Sequence, residues 1–123
     1  MSKLFRVPDY LEHILKAIER INRYTEQLDE IGFLSSELVQ DAVIRNIEII
    51  GEASNNIMRA APDFTAQHKE IPWPVMYAMR NRLSHGYDKV DFEIVWRMIE
   101  RDLPALHTGL MSLMANAKMN AYE

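Results

Sequence analysis

The residues Arg80-Asn81-Arg82-Leu83-Ser84-His85-Gly86-Tyr87 crowd an unusual amount of chemistry into one short stretch. Guanidinium groups hold anions through paired, directional hydrogen bonds. An imidazole near its free pKa moves protons at neutral pH. Across residues 71–89 the charged side chains are Arg80, Arg82 and Lys89 against Asp88, a local net of +2 in a chain whose net charge is −4. Those signs point to a small anion site inside an acidic protein.

Helical geometry limits how these groups can cooperate. Asn81 and His85 are four apart and share a face, as do Arg80 and Ser84. Arg80 and His85 are five apart and point about 140° from each other on a regular helix. They meet at one substrate if the helix ends near Ser84, if the arginine wraps round, or if a second subunit completes the site. At a helix C-terminus the macrodipole favours the imidazolium of His85, while Arg80 and Arg82 oppose it. From the residues alone, a structural role for His85 as a helix cap is favoured over catalysis.

No other cluster competes. His13, His68 and His107 are scattered, without the close spacing to carboxylates that a metal site needs, so no bound metal is expected. Glu48 and Glu52 flank Gly51 and form a polar stripe that could face the arginines. The eight methionines read as core filler, and Trp73 and Trp96 as packing residues.

Four amphipathic stretches must position the site, and they predict an all-α domain spanning 1–123, a four- or five-helix up-and-down bundle. The first starts at Pro8 with Leu11, Ile14, Leu15, Ile18, Ile21 and Leu28 on one seam and Thr25 filling a gap. Its opposite face offers the ion pairs Glu12–Lys16 and Glu19–Arg23. Gly32 falls in the following break, and Ser35 or Ser36 caps a second helix. That helix places Leu38, Val39, Ala42, Val43, Ile47, Ile50, Ala53 and Ile57 inward and stops before Pro62. Gly51 inside it marks a close approach of another helix. Residues 62–71 read as a polar loop. A third helix runs from Pro72 or Pro74 to a stop at Gly86, with Val75, Met76, Met79 and Leu83 inward. Asp91 caps a fourth, which Pro104 kinks or splits and which frays after about Ala115.

Composition excludes several classes. The chain has 123 residues, enough for one core, and no cysteine, so disulfides, thiolate nucleophiles and zinc fingers are out. The four glycines never cluster into a phosphate-cradling loop. An excess of acid argues against a general nucleic-acid coat protein. No apolar run approaches the roughly 20 residues that cross a bilayer, and the start is too short and charged for a signal peptide, so the reading is cytoplasmic.

The stretch from Arg80 to Tyr87 resembles the R-x4-H-x-Y motif of HepT-like proteins in the HEPN superfamily. Arg45-Asn46-Ile47-Glu48-Ile49-Ile50-Gly51-Glu52-Ala53 is similar to that family's glycine-containing helix, and Ile71-Pro72-Trp73 to the lead-in of the motif helix. Val95-Trp96 and Asp102-Leu103-Pro104-Ala105-Leu106 resemble its last helices, so the likeness runs from about residue 8 to 113.

The resemblance implies a dimeric helical bundle acting as a metal-independent endoribonuclease, the toxin of a toxin–antitoxin pair, with no cofactor. It implies Arg80 and His85 as the catalytic pair, with Asn81, Arg82 and Ser84 in support. The implied partner is a minimal nucleotidyltransferase of the MntA type, which silences the toxin by attaching AMP to the motif tyrosine, here Tyr87. RNA brings its own nucleophile, the 2′-OH, so the protein need supply only a base, an acid and a phosphate clamp. Two His85 and two Arg80 side chains from a symmetric dimer would provide all three. A non-catalytic nucleotide- or nucleotidyltransferase-binding module is the alternative, with the arginines holding a phosphate and His85 as a cap.

Overall fold

The computed structural model describes residues 6–83 and 89–121, and of residues 82 and 117–121 the backbone alone. Its elements are α1 (Val7–Thr25), α2 (Glu30–Leu34), α3 (Glu37–Ala60), α4 (Pro62–Gln67), α5 (Trp73–Tyr77), α6 (Met79–Arg82), α7 (Phe92–Arg97) and α8 (Leu103–Ala121). A π-helical turn, Met98–Asp102, joins α7 to α8. The all-α expectation is met.

Helix α3 packs against α1, α2, α4, α5 and α6, and α1 lies between α3 and α8. The α1 seam residues Leu11, Ile14, Leu15, Ile18 and Ile21 are all buried. Thr25 extends the seam because its hydroxyl donates to the Ile21 carbonyl at 2.8 Å, so no polar atom is stranded inside. On the outer face Glu12 pairs with Lys16 at 3.1 Å as its spacing predicts. Glu19 does not take Arg23. It reaches across to His107 of α8 at 3.0 Å, while the Arg23 guanidinium stacks 5.6 Å from the Tyr24 ring centre. A tertiary neighbour thus displaces the local pair.

Helix α3 begins where the sequence places it. The Ser36 hydroxyl accepts from the Val39 N–H at 3.3 Å, which satisfies one of the donors a helix start leaves open. Val43, Ile47, Ile50, Ala53 and Ile57 are buried as predicted, but Leu38 faces solvent. Three polar residues on the buried side escaped the pattern, among them Ser54, whose hydroxyl donates to the Ile50 carbonyl at 2.7 Å. Gln40 donates to the Phe33 carbonyl at 2.9 Å and ties α2 to α3, and Asn46 accepts from Arg20 of α1 at 3.3 Å.

The short elements correct the sequence reading. Gly32 lies inside α2, not in a break, because Asp29 caps that turn by accepting from the Gly32 N–H at 2.8 Å. Residues 62–71 are not wholly loop: Pro62 opens α4, its ring preset for a first turn. The single third helix is two, α5 and α6, interrupted at Ala78. Near Pro104 the last stretch changes its winding without a gap: the Leu103 N–H bonds the Met98 carbonyl across the wide turn, and the next residue, Pro104, has no donor to give. Helix α8 then continues to Ala121, past the fraying point expected near Ala115.

Candidate active site around α6

Three contacts set α6. The first is the approach of α5 to α3. A Cβ placed on Gly51 would stand 3.2 Å from the Tyr77 carbonyl oxygen and 3.5 Å from that of Met76. Both atoms are backbone, so a side chain here would press on α5, and the expected helix contact at Gly51 is present. The second is the Ala78 interruption, where the Ala78 N–H returns to the Pro74 carbonyl at 3.0 Å and the Asn81 N–H starts afresh on the Ala78 carbonyl at 3.0 Å. The third is Leu83, fully buried, which plugs the end of α6 into the core.

On this frame Arg80 is half-buried and Asn81 exposed. Helix α6 ends at Arg82, with Leu83 as its cap and the Leu83 N–H bonded to the Arg80 carbonyl at 3.3 Å. Ser84, His85, Gly86 and Tyr87 lie outside the described residues, as does the side chain of Arg82. The expected stop at Gly86 falls there too, but the helix has already closed before Ser84. That is the first of the three geometries by which Arg80 and His85 could escape their five-residue opposition.

The chain comes back to where it left. The Asp91 N–H donates to the Leu83 carbonyl at 2.7 Å, which brings together the chain before and after residues 84–88. Asp91 also caps α7 as predicted, its carboxylate accepting from the N–H groups of Glu93 at 3.0 Å and Ile94 at 3.3 Å. Helix α7 is anchored behind it: the Phe33 ring of α2 stacks 5.4 Å from Trp96 and meets Phe92 edge-on at 6.1 Å. Both ends of the span carrying Ser84, His85 and Tyr87 are thus held by buried packing.

Sequence reasoning expected Asp91 as a cap but missed its second role as the closing point of that span. A backbone bond between residues eight apart leaves no side-chain signal. Glu48 and Glu52 lie on either side of Gly51, yet no described carboxylate forms an ion pair with Arg80. Among the described residues no three His, Cys, Asp or Glu side chains gather to hold a metal ion. Beside α6 runs a groove of about 390 Å³, lined by Met76, Met79, Met98, Leu106, Arg101 and Asp102 among others. Met76, Met79 and Met98 belong to the core, as expected, and the groove meets them at its wall. Trp73 and Trp96 are buried, as expected.

Residues 14–113 match the family described as "Ribonuclease HepT-like". The chain belongs to this family. A "Probable ribonuclease HepT" of Thermococcus cleftensis is 46% identical over 98 residues, covering 80% of this chain and 86% of the relative. A "Putative RNase" of Caldanaerobacter subterraneus subsp. tengcongensis is 30% identical over 109 residues, covering 89% and 95%. A "Gamma-glutamylcyclotransferase and putative RNase" of Methanocaldococcus jannaschii is 39% identical over 111 residues, which span 90% of this chain but 49% of that larger protein. No solved structure matches the chain. No helix among the described residues is long and apolar enough to cross a membrane.

Proposed function

We propose that this chain is a metal-independent endoribonuclease and the toxin of a toxin–antitoxin pair, working in the cytoplasm as a homodimer. The observation that carries the reading is the end of α6 at Arg82, followed by the backbone bond from Asp91 to Leu83. The helix that carries Arg80 closes before the position of His85 in the sequence, so a regular helix need not set the two residues on opposite sides. Family membership supplies the reaction class, and the motif residues supply its groups.

In this reading Arg80 neutralises the scissile phosphate, with Arg82, Asn81 and Ser84 in support. One His85 removes the proton from the RNA 2′-OH, and the His85 of the second copy protonates the departing 5′-oxygen. The products are a 2′,3′-cyclic phosphate and a free 5′-hydroxyl. No cofactor is used. Tyr87 accepts AMP from a minimal nucleotidyltransferase antitoxin. The added phosphate then competes for the arginines and repels RNA.

End-group analysis of the products tests the chemistry. RNA should yield 2′,3′-cyclic ends, a strand with 2′-deoxyribose at the cut should resist, and Arg80→Ala or His85→Ala should reduce the rate at least a hundredfold. Cleavage of the 2′-deoxy strand at the same rate would contradict the mechanism. Tight nucleotide binding with no cleavage at all would instead mark a non-catalytic binding module.

A further inference from the structure

A second surface stands out at the corner between α2 and α3. Ile31 is 75% exposed, Leu34 39% and Leu38 82%. Ile31 and Leu34 are three apart on α2 and share a face, and Leu38 lies in the first turn of α3, past the two-residue corner Ser35–Ser36. The corner is stiff: the Ser35 N–H bonds the Ile31 carbonyl at 3.1 Å, the Ser36 N–H bonds the Phe33 carbonyl at 3.2 Å, and Gln40 locks Phe33 from α3. Three large apolar side chains are therefore presented on a preformed backbone.

The charges nearest to them along the chain have one sign. Between Arg23 and Arg45 there is no lysine or arginine, while Glu26, Asp29, Glu30, Glu37 and Asp41 all fall in that interval. All five of these acids are exposed. The rest of the chain carries a slight positive excess, so the acidity of the protein is concentrated here. RNA and anionic lipid are repelled by such a rim. A second copy of the chain meeting the first at this corner would set like charges against each other.

We propose that the α2–α3 corner is a docking surface for a partner-protein segment that combines apolar side chains with lysine or arginine. Ile31, Leu34 and Leu38 take the apolar side chains, and the surrounding carboxylates pair with the cations. This surface is independent of the ribonuclease reading and stands whether or not RNA is cut.

The test uses the full chain and two synthetic helical peptides with the same leucine spacing, one filled with lysine and one with glutamate, followed by calorimetry. The leucine–lysine peptide should bind the wild type, weaken as salt is raised, and bind Ile31→Ser and Leu38→Ser at least tenfold more weakly. The leucine–glutamate peptide should not bind. Glu37→Lys, which leaves the apolar residues intact, should also weaken the first peptide severalfold. Absence of binding, or equal binding by wild type and all three variants, overturns the proposal. A fall from dimer to monomer in sedimentation of Leu38→Ser overturns it too, because the occupant is then a second copy.

Discussion

Gly51 of α3 lies so close under the Tyr77 carbonyl of α5 that a Cβ there would stand 3.2 Å from the oxygen. The contact fixes where α5 ends and hence where α6 begins. In Gly51→Ala two effects oppose: alanine favours the helix by about 1 kcal/mol, while its methyl presses on backbone that yields little. Gly51→Val removes the ambiguity, since overpacking of this kind costs roughly 1–3 kcal/mol. Urea denaturation should show that loss, and RNA cleavage at a temperature where the variant is fully folded should still fall, because Arg80 is displaced with α6.

Asp91 offers a cleaner separation of stability from geometry. Asp91→Ala removes the cap on Glu93 and Ile94 and should cost about 1 kcal/mol, but keeps the N–H that closes the span on Leu83. Asp91→Pro removes both. Cleavage should drop much further in the proline variant than in the alanine variant when both are assayed folded. Equal activities would show that the bond to Leu83 has no part in positioning the motif.

The Glu19–His107 pair joins α1 to α8 at 3.0 Å, with the Glu19 side chain about half exposed. Water and salt screen such a pair, so a double-mutant cycle of Glu19→Gln and His107→Ala should give a coupling below about 1 kcal/mol, shrinking further in high salt. A coupling of several kcal/mol would mean that the pair is shielded from solvent.

Tyr87→Phe should retain most RNA cleavage and lose the ability to accept AMP. Intact mass after incubation with ATP, magnesium and the nucleotidyltransferase should show adenylyl additions on wild type and none on the variant. Additions on both would move the modified residue elsewhere.

The long elements were legible because each has one dominant cause. The α1 seam follows helical spacing and is buried from Leu11 to Thr25, with only Leu28 falling past the helix end, Ser36 and Asp91 cap as their side chains dictate, and Pro104 comes just after a π-helical turn in the last helical stretch. The short elements were not. Gly32 and residues 62–67 form single turns held by local caps or a preset proline, too brief to show a period. Glu19 chose His107 over Arg23 because a tertiary neighbour outweighed a local one. Leu38 counts into the apolar pattern of α3 yet faces outward, since it stands nine residues from Ile47 and so on the opposite face of the helix, while Gln40 of the same turn is buried. At the site, residue types pointed to Arg80 and its neighbours, but the closing bond between Leu83 and Asp91 belongs to backbone and leaves no trace in side-chain identity.

The most direct test of the central claim is cleavage of a defined RNA in excess EDTA by wild-type protein and by His85→Ala, after intact mass has shown both free of AMP. The account predicts cleavage by the wild type, undiminished by the chelator, and loss of at least a hundredfold in the variant. Equal cleavage by the two proteins would contradict it, and so would activity that EDTA abolishes.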